Sequence, residues 1–382
     1  MMKPAVLCVL LLSWELLLQG SDSAAAAHDR LLPHHRHQNR TVHRLHCLQK
    51  AIGAPVDGLA TGEWVQGHAD ANDDASAPKQ WLYQDFECPL LPFDARTFCE
   101  SAVGCGKKVL IVGDSTVKSA SDFYEKFFQT TRAATPSCPT PNNCNNGIAR
   151  NFPGAKGCVK GGHNEKMRVN DICTSYCSSH NKTQLTYVRH DFLAGAHGMF
   201  HFRTAVCDHW MHLAGSSDIV VISSAAHIHE LVTYPNETVA SPKVPFETYV
   251  DASAYFIADK LKKLKMKPNS VLVYMTSSGG IENFTNDCSL KPADKPLPYD
   301  KQYNWDKIPY MQATYVRVFK EAMREIKQPF LIMDLQYLNQ MRRGCRGDFV
   351  HGFSTVKESP YFNVWLLLYN LMLEYNQHHR VS

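Results

Sequence analysis

The hydrophobic pattern alternates between short, unbroken apolar runs and longer stretches with helical spacing. Val109, Leu110, Ile111 and Val112 form the first run, entered from Lys107 and Lys108 and left through Gly113-Asp114-Ser115. Further runs lie in TQLTYVRHDF from Thr183, SDIVVISSA from Ser217, SVLVYMTSS from Ser270 and PFLIMDLQYL from Pro329. Short runs rich in Val, Ile and Leu, bounded by turn residues, predict strands buried on both faces. Helical spacing predicts a short helix in Cys88 to Glu100 and another from Ser119 to Phe128. Tyr249 to Leu264 sets Tyr249, Ala252, Phe256, Leu261 and Leu264 on one broad face, and Tyr310 to Ile326 does likewise with Tyr315, Phe319, Ala322 and Ile326. Tyr361 to Tyr375 predicts a closing helix with Trp365, Leu368 and Met372 inward. Strands that alternate with helices predict an α/β fold with a central, mostly parallel sheet of about five strands and right-handed crossovers.

The remaining stretches lack such periodicity. Lys3 precedes an apolar run from Pro4 to Trp14, followed by Glu15, Gly20 and the small residues Ala24 to Ala27. That order predicts a cleaved signal peptide over 1–26; an uncleaved anchor is disfavoured by the shortness of the run and by Glu15. Residues 27–56 carry His28, His34, His35, His37, His43 and His46 with no apolar period, which predicts a solvated, poorly ordered segment rather than a metal site. A single folded domain is placed at 57–382. It begins with GEWV (Gly62 to Val65), and ADANDDASAP after it predicts a loop. Residues 131–182 are rich in Pro, Asn and Gly and predict a long loop carrying Cys138, Cys144, Cys158, Cys173 and Cys177. A loop of that length needs staples or a function.

Composition narrows the partners. The chain has 382 residues, 44% hydrophobic and 20% charged, an ordinary globular mixture. A net charge of +4 without a basic-aromatic pattern gives no expectation of a nucleic-acid partner. Of thirteen cysteines, Cys8 lies in the leader, and the even set that remains predicts disulfides in an oxidising compartment. Sequons at Asn39, Asn181, Asn236 and Asn283 agree with passage through the secretory pathway, so the expected location is secreted or within the Golgi or endoplasmic reticulum lumen, without stable membrane insertion once the leader is removed.

The candidate chemistry sits at the two ends of the predicted sheet. Ser115 falls where a strand turns into a helix, at a carboxyl edge, with helix N–H groups available to a developing negative charge. A serine nucleophile needs both features; the plainer alternative is a serine that only caps a helix. After the last strand comes GCRGDFVHGF, with Asp348 and His351 three residues apart. Histidine can take the hydroxyl proton, and a carboxylate can fix its tautomer. Both elements fall at the same sheet edge.

This combination resembles the SGNH hydrolases, and more closely the PC-esterase family, which includes the trichome-birefringence-like polysaccharide O-acetyltransferases. The resemblance runs over roughly Gly62 to Leu373. It is carried by GEWV, by CPLLPFDARTFCESAVGCGKKVLIVGDST, by TYVRHDFL and by HGFSTVKESPYFNVWLLLYNLM. It implies a three-layer α/β/α sandwich, an acyl-enzyme on Ser115, His351 as base and Asp348 as orienting acid, with Arg189 near the active site. It implies no cofactor and no metal, a carbohydrate substrate and an acyl donor.

The sequence departs from that pattern in three places. Ser223 stands where the family carries an oxyanion-binding Asn, in a stretch whose closing His227 matches the family histidine. The family's Asp-Cys-x-His is here Asp-Phe-Val-His, with Cys345 upstream as the substitute cysteine, and Met275 replaces an Arg frequent in relatives. The oxyanion or substrate-binding candidates are therefore Arg189, Ser223 and His227. HIHE at 227–230 and CDHWMH at 207–212 hold ligand-type residues without a zinc spacing. The expected function is a serine esterase or O-acyltransferase acting on acyl esters, chiefly acetyl esters, of a carbohydrate. The alternative is a carbohydrate-binding or structural protein on a degenerate esterase scaffold.

Overall fold

The computed structural model describes residues 62–66, 81–85, 90–91, 94–101, 103–122, 128, 167–173, 175–177, 182–190, 193, 210–224, 246–277, 279–301, 305–346, 351 and 360–381. In chain order the strands are β1 (Gly62–Gln66), β2 (Trp81–Asp85), β3 (Lys108–Gly113), β4 (Met167–Ile172), β5 (Thr183–Arg189), β6 (Ile219–Ile222), β7 (Val271–Met275) and β8 (Phe330–Met333). The helices are α1 (Ala95–Glu100), α2 (Ser115–Asp122), α3 (Trp210–Ala214), α4 (Phe246–Lys262), α5 (Ile308–Glu325), α6 (Gln336–Met341) and α7 (Pro360–Val381).

All five apolar runs are strands of one six-stranded sheet, ordered β4-β5-β3-β6-β7-β8. The five are mutually parallel; β4 alone runs antiparallel, paired with β5. The chain goes from β3 outward to β5 and then returns to the other side of β3 to form β6. This reversal makes a topological switch point at the carboxyl ends of β3 and β6, where open α/β sheets form their crevice.

Strand side chains alternate between two apolar clusters, as a sheet buried on both faces requires. Val109, Ile111, Leu185, Tyr187, Val221 and Val273 pack with Phe98 of α1, Val117 of α2 and Trp365, Leu368 and Met372 of α7. Leu110, Val112, Val188, Val220, Ile222 and Leu272 pack with Trp210 of α3, Val250 and Ile257 of α4 and Tyr315 and Phe319 of α5. Each such Val, Leu, Ile or Phe contributes about 1.5–3 kcal/mol relative to exposure.

Three expectations need correction. The 131–182 stretch is not all loop, because β4 lies within it. MRVNDI mixes Arg168, Asn170 and Asp171 with three apolar residues, and an edge strand with one neighbour tolerates that. The sheet thus has six strands rather than about five, and GEWV is β1 of a separate two-stranded hairpin with β2. The helix expected from Ser119 begins at Ser115. The cysteine expectation holds for three pairs among the described residues: Cys99–Cys173, Cys105–Cys177 and Cys288–Cys345. The first two tie α1 and the turn after it to the segment that follows β4. Among the described residues no helix is long and apolar enough to cross a membrane. The leader, the histidine-rich segment and the acidic stretch lie outside the described residues.

Candidate active site

The GDS turn divides its work among three residues. Gly113 ends β3 at a point where no side chain fits: a Cβ there would lie 2.6 Å from the Ser223 carbonyl oxygen and 2.7 Å from Val117 Cγ2. The Ser223 N–H donates to Val112 O at 2.9 Å and the His190 N–H to Gly113 O at 2.9 Å, so both neighbouring strands hold this end of β3. Tyr187, buried in β5, points its hydroxyl at the carbonyls of Gly113 (3.2 Å) and Asp114 (3.0 Å).

Asp114 is the helix cap. Its carbonyl accepts from the Lys118 N–H at 3.1 Å, the first turn of α2. Its Oδ1 accepts from the Thr116 N–H at 2.9 Å and the Thr116 hydroxyl at 2.6 Å. A buried carboxylate at a helix N-terminus satisfies an orphan N–H and favours the positive end of the dipole. The capping role that sequence left open for Ser115 therefore belongs to Asp114, and Ser115 is the first helical residue.

That position leaves the Ser115 hydroxyl facing His351: Oγ lies 2.8 Å from Nε2. Both residues are partly exposed. With the ring proton on Nδ1, the serine donates to Nε2, the arrangement a nucleophile and its base require. Pairing across 236 positions of chain is the contact that the GDS and DxxH patterns predicted.

The other candidates stand as follows. The backbone of Arg189 ends β5 in register with Gly113, at the serine's edge; its side chain lies outside the described residues, as do Asp348 and His227. Ser223 follows β6 directly, is fully buried, and its Oγ has no hydrogen-bond partner among the described residues. A buried, uncommitted hydroxyl is costly to maintain without a use. The sequence departure at Ser223 thus coincides with an available donor. The Thr116 N–H is already committed to Asp114, so the α2 N-terminus presents fewer donors to a ligand than an uncapped helix.

Sequence reasoning missed the polar chain beneath the site. Thr116 Oγ1 lies 3.3 Å from Ser277 Oγ after β7, and Thr276 donates to Asp334 Oδ1 at 2.5 Å after β8. Gln312 of α5 accepts from the Tyr274 hydroxyl at 2.6 Å and reaches the carbonyls of Ser224 and Ser277 at 3.4 Å. Burial raises the Tyr274 phenol well above its ordinary range, and the charges of Tyr315, Asp114 and Asp334 add to it. Burial also raises the Asp334 carboxyl, against the hydrogen bonds from Thr276 and Gln336. The only sequence signal was that Thr276 and Asp334 directly follow apolar runs; Thr116 and Gln312 carried none.

Cys345 is paired with Cys288, so the cysteine upstream of DxxH is in a disulfide as expected. No group of three or more His, Cys, Asp or Glu residues among those described is placed to hold a metal ion, and HIHE lies outside them. Compared with known proteins, the chain matches no protein-family model and no curated protein.

Proposed function

We propose that this chain is a secretory-pathway serine esterase or O-acyltransferase that acts on acyl esters of a carbohydrate, built as an SGNH-type three-layer α/β/α sandwich. The observation that carries the reading is the 2.8 Å contact between Ser115 Oγ and His351 Nε2 at the carboxyl edge of the sheet. Ser115 attacks the ester carbonyl while His351 takes its proton. The leaving alcohol collects that proton, and an acyl-serine remains. His351 then deprotonates water or a sugar hydroxyl, which attacks the acyl group and frees the serine. Asp348 is assigned to orient the imidazole through Nδ1. The developing oxyanion is assigned to the Ser115 N–H with Ser223 Oγ or Arg189 as the second donor.

The test uses the full chain with an aryl acetate, an acetylated polysaccharide and a fluorophosphonate probe. The wild type should label at Ser115 and turn over ester. Ser115→Ala and His351→Ala should each stay folded and lose about 10⁴-fold or more in turnover. Retained turnover in both variants overturns the assignment. The second reading, a carbohydrate-binding protein on a degenerate scaffold, draws on Ser223 in place of an amide donor; it is favoured if glycan binding persists while the wild type neither labels nor turns over.

A further inference from the structure

Arg342 follows α6 directly, and its side chain is fully buried (0% exposed). A guanidinium stays charged in any protein, so burying it requires partners for its donors. Nη1 donates to the Leu290 carbonyl at 2.6 Å and Nη2 to the Cys288 carbonyl at 2.7 Å. The Arg342 carbonyl accepts from Arg346 Nε at 2.7 Å, and Arg346 is itself 2% exposed. Asp287, on the same loop as Cys288, has its carboxyl held below the ordinary range by hydrogen bonds from Ser289, with the Arg342 charge adding to them.

The backbone between the two segments is equally committed. The Thr285 N–H donates to Arg343 O at 2.9 Å, the Cys345 N–H to Asp287 O at 3.2 Å and the Arg346 N–H to Thr285 O at 3.1 Å. The Cys288–Cys345 disulfide spans the same pair. Gly344 passes so close that a Cβ there would lie 2.4 Å from Asp287 O. Residues 285–290 and 342–346 are thus fastened along their length. Five positions beyond Arg346 stands His351.

Stability alone explains this poorly, because a buried charge is weak support for stability, and an apolar residue of similar volume serves as well or better. What only a planar fork supplies is a fixed relation between two carbonyls two residues apart and the chain that carries it. We propose that Arg342 is a positioning residue for His351. By locking Cys288 and Leu290 to the end of α6, it fixes the point from which the histidine departs, and so the distance from Nε2 to Ser115 Oγ. This rests on the esterase reading.

The test measures kcat and KM for an aryl acetate, together with the rate of Ser115 phosphonylation, in the full chain. The proteins compared are the wild type, His351→Ala, Arg342→Met, Arg342→Lys and Gly344→Ala, each checked for folding by circular dichroism. Misplacing a catalytic group by about 1 Å costs about 100-fold, so Arg342→Met should lose about that much in kcat, with KM within about twofold and phosphonylation slowed in parallel. Arg342→Lys should recover part of the loss, because an ammonium reaches one carbonyl but not both. Gly344→Ala, which pushes the same two segments apart, should show a smaller loss, again in kcat.

A folded Arg342→Met with unchanged kcat, or a loss confined to KM, overturns the proposal. If Arg342→Met does not fold, unchanged kcat in both Arg342→Lys and Gly344→Ala overturns it equally. Failure of the esterase reading looks different: no turnover in the wild type, or full turnover in His351→Ala, removes the role of Arg342 along with the reading.

Discussion

Ser115 and His351 meet at 2.8 Å, but opposite kinds of structure bring them there. The serine end rests on regular elements. β3 lies between two parallel neighbours, Gly113 lets β6 approach, and Asp114 starts α2 one residue before the serine. The histidine end comes after the last strand and rests on loop segments joined by a disulfide, a buried arginine and three backbone hydrogen bonds. A parallel sheet sets the positions of its own carboxyl ends with no further fastening. A residue that approaches from outside the sheet needs covalent and charged ties to reach the same precision. The two ends should therefore fail differently.

The largest effect is expected at the histidine end. Removing Cys288–Cys345 as a Ser/Ser pair should lower stability by about 2–4 kcal/mol, the usual yield of a disulfide. It should also cut kcat in the protein that remains folded. Removing Cys99–Cys173, which closes a comparable stretch of chain, should cost similar stability and leave kcat unchanged, since it ties α1 to the region after β4. Urea midpoints and kcat on both variants check this. Equal kcat losses would erase the distinction between a fastening for the site and a fastening for the fold.

At the serine end the sharper probe is Gly113→Ala. The added Cβ meets a backbone carbonyl at 2.6 Å, so strand ends must shift; overpacking of this kind costs about 1–3 kcal/mol. The shift is applied next to Ser115, the proposed nucleophile, and kcat should fall along with stability. Asp114→Ala should do less to the fold, about 1 kcal/mol for a lost cap, while Asp114→Asn keeps the acceptor and should recover most of it. Thermal unfolding separates the pair. A cap loss of zero would mean that α2 starts without Asp114, contrary to the two hydrogen bonds it accepts from Thr116.

The same contrast accounts for what the sequence conveyed. The serine end was legible because its determinants are contiguous: an apolar run, a glycine, an acid and a serine in seven positions, 109 to 115. The five parallel strands were legible for the same reason. The edge strand β4 was not, since one-sided pairing permits Arg168, Asn170 and Asp171 in it, and neither was the share of the cap between Asp114 and Ser115, which turns on one residue of helix phase. The histidine end was legible only as a motif. That Arg342 is buried, and that Cys345 finds Cys288 rather than another cysteine, depends on segments about fifty residues apart coming together, and no local pattern encodes it.

The smallest expected effect concerns Asp334, which lies between the two ends where β8 gives way to α6. Its Oδ1 accepts from the Thr276 hydroxyl and from the Gln336 N–H at 2.9 Å, while Oδ2 is buried with no hydrogen-bond partner among the described residues. Burial raises the carboxyl above its ordinary value of 3.8, so the folded chain holds this proton more tightly than the unfolded chain does. Stability from this group is then fully present below the ordinary value and is lost as pH rises through the higher folded value. Asp334→Asn keeps the Oδ1 acceptor and removes the charge. The thermal midpoint of Asp334→Asn minus that of the wild type should therefore grow as pH rises from about 4 and level off once the wild-type carboxyl is ionised in the fold. A difference that stays flat, or shrinks with rising pH, would show that Asp334 ionises in place without penalty. Its buried oxygen would then have a partner that accepts the charge, and the polar chain from Thr276 to α6 would belong with the charge-fastened histidine end rather than with the sheet.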